Sequence, residues 1–131
     1  MGKKIAVVGS APSSVLLAPF NDPEWEIWGT SPSCWSQLAG RKTDVWFELH
    51  RYMPYQPAQA NAPGTRPWFS PEFHQHLQEH QGTVYMTEGH TDIPNCVQYP
   101  YEEMIAKHGK YHFCSSVSWM LALAIEQEPD A

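Results

Sequence analysis

Apolar positions come as short unbroken runs, each ending in a turn of small hydroxylated residues, over the first fifty positions. Lys4-Ile5-Ala6-Val7-Val8 opens straight into Gly9-Ser10-Ala11-Pro12-Ser13-Ser14. Trp25-Glu26-Ile27-Trp28 opens into Gly29-Thr30-Ser31-Pro32-Ser33, and Asp44-Val45-Trp46-Phe47-Glu48 runs out into Leu49-His50-Arg51. Runs of this length with β-branched and aromatic residues predict buried strands of a parallel sheet. Small residues after each strand predict a helix start. Ser13 to Pro19 is expected as a short helix carrying Val15, Leu16 and Leu17, and Ser33 to Leu38 as a second with Ser33 near its N-cap and Gly40 ending it. Asn21-Asp22-Pro23 is a turn.

The rhythm then breaks. Pro54, Pro57, Pro63, Pro67 and Pro71 punctuate residues 53–71, which predicts a long loop or flap near the strand ends. Ser70 as N-cap and Pro71 at the first helical position start a helix to about His80, closed by Gly82. Thr83 to Met86 reads as a fourth strand and residues 87–98 as turn-rich. Tyr101 to His108 is a helix ended by Gly109. Ser115 or Ser116 caps a last helix to about Gln127, whose apolar residues cover most of its circumference, as in a helix packed on several sides. The expectation is one domain, residues 1–131, with a three-layer Rossmann-like α/β fold: a mostly parallel sheet and helices on both faces.

Composition narrows the function. With 131 residues the chain buries roughly two thirds of its unfolded surface, enough for a core. The six tryptophans are expected mainly in that core, and surplus Trp and Tyr would suit a homodimer face. A net charge of −6 argues against nucleic-acid polymers as partners. It leaves a single nucleotide open, because backbone amides hold phosphate without side-chain charge. Cys34, Cys96 and Cys114 are widely spaced and form no CxxC, so a reduced protein of the cytoplasm is expected, with no zinc ribbon. No run is long enough to span a membrane.

Ligands of open α/β sheets bind beyond the carboxyl ends of the strands. Gly9, Ser10, Ala11, Pro12 and Ser13 are therefore ligand candidates, as are Gly29, Thr30, Ser31 and Ser33 in the second loop. Glu48 is suited to a ribose hydroxyl, Arg51 to a phosphate, and His50 to acid or base work near neutral pH. Ser115 and Ser116 either cap their helix or offer hydroxyls, and His112 precedes them as a second candidate base. Each of these sites also has a plain reading as a turn, a cap or a solvated ion pair. There is no GxGxxG, no Walker loop, no Gly-x-Ser-x-Gly elbow and no cysteine-centred motif. Glu72, His76 and His80 share one helix face, but without a fourth ligand the stripe is expected to face water and no metal is assigned.

KIAVVGSAPSS (Lys4 to Ser14) resembles the first strand and Gly-x-x-Pro-Ser loop of the bacterial, Campylobacter-type sialyltransferase-like group. WEIWGTSPSCW (Trp25 to Trp35), TDVWFELH (Thr43 to His50) and FCSSVSWMLALAI (Phe113 to Ile125) are similar to later pieces of the same pattern, and to related uncharacterised bacteriophage proteins. The resemblance implies contact of the first loop with a nucleotide or nucleotide-sugar donor, no separate cofactor and, if the protein is an enzyme, a sialyltransferase-type transferase. For a phage-encoded chain it implies the host cytoplasm. The usual Asn-Gly-Pro is replaced by Ser10-Ala11-Pro12 after Gly9. The family pattern also continues beyond the match with a further strand and a base histidine, which implies a shortened relative or a fragment. The alternative function is a non-catalytic phage protein that sequesters a host nucleotide signal or acts as an interaction scaffold.

Overall fold

A computed structural model describes residues 3–50, 70–110 and 113–131. The apolar runs become five strands: β1 (Lys4–Val8), β2 (Trp25–Thr30), β3 (Val45–Glu48), β4 (Val84–Met86) and β5 (Cys96–Gln98). They form one all-parallel sheet in the order β1-β2-β3-β4-β5. This is an α/β architecture of the Rossmann-like kind, with helices on both faces. The order never reverses among the described strands, so no topological switch point of the usual doubly wound type is formed.

The strand order explains the layers. Parallel crossovers are almost always right-handed. Four in one direction therefore pass over one face. A single 3₁₀ turn (Val15–Leu17), α1 (Ser31–Gln37), α2 (Pro71–Glu79) and Ile93 of the last connection pack there on Val8, Ile27, Trp46, Val84 and Met86. The next strand residues point the other way, as the two-residue alternation requires. Ile5, Trp28 and Phe47 meet Tyr99, α3 (Tyr101–His108) and α4 (Ser116–Glu126) on the second face. Past α4, the Asp130 N–H donates to the Lys3 carbonyl and Ala131 accepts from the Ile5 N–H, at the amino end of β1. The start of α4 therefore lies at the carboxyl edge of the sheet.

Several expectations are corrected. The helix expected over Ser13–Pro19 is one 3₁₀ turn, because Ser14 makes no cap bond and Ala18, held extended before Pro19, stops it. Helix α1 begins at Ser31, so Thr30 and not Ser33 is its N-cap residue. Residues 87–95 are turn-rich as expected, but the stretch ends in Cys96–Gln98, an edge strand paired with β4 and too short to show alternation. Helix α4 is not packed on all sides, since Val117, Leu121 and Ile125 form an exposed stripe. Helix α2 starts where its caps predict, with the Phe73 N–H donating to Ser70 Oγ. Trp28 and Trp46 are fully buried, while Trp25, Trp35 and Trp119 are half-buried. Most of the 53–71 segment lies outside the described residues.

Candidate functional site

The carboxyl edge carries one buried charge. Glu48, the last residue of β3, lies two positions after Trp46 and so on the same side, toward α1 and α2. It is 1% exposed. Its Oε1 lies 2.6 Å from Nδ1 of His50 and accepts the His50 backbone N–H at 3.3 Å. Its Oε2 is buried and has no hydrogen-bond partner among the described residues. A buried carboxylate oxygen without a partner is costly, so its persistence asks for an explanation. The His50 side chain is 38% exposed, so the pair connects the interior to the surface. A carboxylate on Nδ1 fixes ring orientation and makes Nε2 the atom that exchanges protons.

Beside it ends β2. Gly29 is buried because nothing larger fits: a Cβ there would sit 2.6 Å from Cζ3 of Trp46. The Thr30 hydroxyl donates to the Phe47 carbonyl at 2.9 Å, which ties β2 to β3 and leaves α1 without a side-chain cap. Ser31 then turns the chain with φ +62°, a left-handed conformation that non-glycine residues adopt at a cost of roughly 1–3 kcal/mol. The Cys34 thiol donates to the Val8 carbonyl at 3.5 Å, rooting α1 on the end of β1. Burial pushes that thiol's pKa up, so it is no nucleophile at neutral pH.

Ser10, Ala11, Pro12 and Ser13 are exposed on the loop after β1, and a Cβ on Gly9 would meet nothing within 4 Å. Ser33 is exposed on α1. Ser115 and Ser116 sit at the same edge but at the start of α4, on the second face. Ser115 forms a reciprocal capping box with Ser118, each side chain accepting from the other's backbone N–H. The structure thus brings the ends of β1, β2 and β3 to one edge, with Ser31, Glu48 and His50 on the α1 side of it. Arg51 and His112 lie outside the described residues.

Two features escaped the sequence reading. One is the left-handed Ser31, whose only signal was a Gly-x-Ser spacing at a strand end. The other lies at the opposite, amino edge. His76 and His80 do not face water: both rings pack on Trp46, at 4.4 and 6.4 Å between centroids, and His76 also on Trp35 and Phe73. They border a cavity of about 260 Å³ with Trp35, Leu38, Arg41 and Thr43. Burial, with His80 nearby, pushes the His76 pKa down to about 4. The Thr43 hydroxyl meets Nε2 of His80 at 2.9 Å. No group of three metal-ligating side chains occurs among the described residues.

Fold and edge geometry together define an α/β protein with an all-parallel sheet and a buried carboxylate–imidazole pair at its carboxyl end. Comparison with protein-family models, curated proteins and solved structures gives no match. No described helix is long and apolar enough to cross a membrane.

Proposed function

We propose that the carboxyl edge binds a nucleotide or nucleotide sugar and that His50, oriented by Glu48, serves there as a general base of a transferase reaction. The observation that carries this reading is Glu48: nearly fully buried, held to His50 through one oxygen, with no partner on the other among the described residues. A ligand hydroxyl, such as one of a ribose or hexose, would supply the missing donor. The small-residue loops after β1 and β2 suit a phosphate, because they offer backbone N–H groups without bulky side chains in the way. In the reaction, the His50 imidazole would accept the proton of an acceptor hydroxyl as it attacks the donor sugar, and the nucleotide phosphate would leave.

Mass spectrometry of small molecules released on denaturation, beside a thermal-shift panel of nucleotides and nucleotide sugars, tests the reading. A ligand at one hundred times its Kd adds about 2.7 kcal/mol of stability. We expect a clear rise in melting temperature for at least one nucleotide, and its loss in Glu48→Ala. No released nucleotide and no shift across the panel would refute the assignment.

A further inference from the structure

At the amino edge of the sheet, away from Glu48 and His50, the last turns of α1 and α2 border the cavity of about 260 Å³. After α1 the chain folds back sharply: Ala39 and Gly40 are both left-handed, at φ +52° and +80°. The fold-back returns Arg41 to the helix end. There its backbone N–H and its Nη1 both donate to the Leu38 carbonyl, at 3.1 and 3.2 Å. The guanidinium also lies 5.7 Å from the centre of the Phe20 ring. Thr43 ties this loop to α2 through Nε2 of buried His80, whose Nδ1 meets the Gly82 backbone. Two sides of the cavity are thus braced against each other before any ligand arrives, which lowers the cost of binding.

Arg41 and Lys42 border the cavity, and neither has a carboxylate partner among the described residues. Lys3, Lys4 and Lys107, by contrast, each pair with a glutamate. Glu79 borders the same cavity, yet it accepts from the Gln75 amide, one turn back on α2, and pairs with neither cation. Nη1 alone of the Arg41 side chain has a described acceptor, which leaves the other guanidinium donors for a carboxylate. The rest of the lining is largely apolar. Trp35 is half-buried; its ring packs on Phe73 and His76 and still borders the cavity, as does Leu38. A lining of this kind favours a flat apolar ring. The carboxyl ends of helices carry partial negative charge, which disfavours a doubly charged phosphate. Pockets for small molecules run upward from about 300 Å³, so this one suits one or two fused rings.

We propose that the amino-edge cavity is a binding site for a small aromatic carboxylate, its ring on Trp35 and its carboxylate met by Arg41 and Lys42. The site lies at the opposite edge of the sheet from the proposed nucleotide site and does not depend on that reading.

Titration of the isotope-labelled protein with naphthoate tests this, read on the indole N–H signals of the six tryptophans. Trp35→Phe identifies the Trp35 signal. That signal should move saturably, with a Kd of about 1 mM or below. Neutral naphthamide should bind at least about 10-fold more weakly, and Arg41→Gln should weaken naphthoate by a similar factor. Arg41 also holds the end of α1, so Lys42→Glu is read beside it: that side chain is exposed and has no described partner, and its reversal of charge should weaken binding at least about 10-fold as well. Lys107→Gln, on α3 and the other face, should change nothing. No saturable movement of the Trp35 signal, amide binding as tight as naphthoate, or an affinity indifferent to both Arg41→Gln and Lys42→Glu would overturn the proposal. So would a preference for naphthylmethylammonium, which would make this a cation site beside Glu79.

Discussion

Replacing Gly29 by alanine should destabilise the protein through one identifiable collision. The added methyl would lie 2.6 Å from Cζ3 and 2.9 Å from Cε3 of Trp46, and 3.1 Å from Cγ2 of Thr43. Ordinary carbon contacts are about 3.5–4.0 Å, so the overlap is about 1 Å. Trp46 has nowhere to go: it is fully buried, with the His76 ring 4.4 Å away and Phe73 at 6.3 Å. Gly29 itself pairs in register with Trp46, so backbone retreat would break the β2–β3 ladder. Overpacking of a rigid core costs about 1–3 kcal/mol, and this site belongs at the upper end. At roughly 2.1 cal/mol/K of unfolding entropy per residue, 1 kcal/mol corresponds to about 4 °C for a chain of this length. The expected fall in melting temperature is therefore about 8–12 °C, with a lower urea midpoint and an unchanged m-value. Gly9→Ala is the control, because its Cβ meets nothing; its stability should hold or rise by up to about 1 kcal/mol. Combining Gly29→Ala with Trp46→Phe should recover part of the loss. A Gly29→Ala protein that melts within 1 °C of the parent would refute the close-packing argument.

Other perturbations follow from single contacts. His76 has its folded pKa depressed to about 4 from 6.5; between those values the unfolded chain binds the proton first, so stability should fall as pH drops from 6.5 to about 4 and level off below. The loss should be on the order of 3 kcal/mol, and His76→Phe should flatten this part of a urea-midpoint profile. Tyr99 donates its hydroxyl to the Trp119 carbonyl, so Tyr99→Phe should cost about 1 kcal/mol through the loss of that hydrogen bond; an unchanged urea midpoint would refute the bond's worth. Ser115→Ala removes the α4 capping box and should cost about 1 kcal/mol, whereas Ser33→Ala, which caps nothing, should cost less than half of that in the same melt.

The fold was legible where one level of physics decides. The runs at Lys4–Val8 and Trp25–Trp28 have too little polar alternation for a one-sided sheet, and they are indeed covered on both faces. Caps placed α2 and α4 because Ser70-Pro71 and Ser115 act within a single turn. What the sequence hid depends on partners far along the chain. The edge strand Cys96–Gln98 exists through its pairing with β4, not through any preference of three residues. The His76–His80 stripe reads as solvated until Trp46 and Trp35 are brought beneath it. Helix α4 is apolar all round, yet nothing in its periodicity says that the side bearing Leu121 is left uncovered.

The site shows the same division. Residue types at the strand ends marked the carboxyl edge, where any parallel sheet gathers its strand ends. Two properties that matter chemically are not written in those types. Glu48 is 1% exposed although it ends its strand at the edge of the sheet, and no residue type announces that burial. Ser31 is left-handed because Gly29 is pressed on Trp46 and Thr30 is bound to Phe47, so the chain must reverse within one residue to start α1. In a doubly wound sheet, reversal of strand order opens the crevice that holds a ligand. Here the described order does not reverse, and on the proposed reading the ligand's place is the edge where α1 and α4 start and where Glu48 keeps a buried oxygen without a described partner. On that reading the ligand would be oriented by the β3 end more than by a glycine-rich loop, which is why the imidazole of His50 and the carboxylate of Glu48 are the groups to change first.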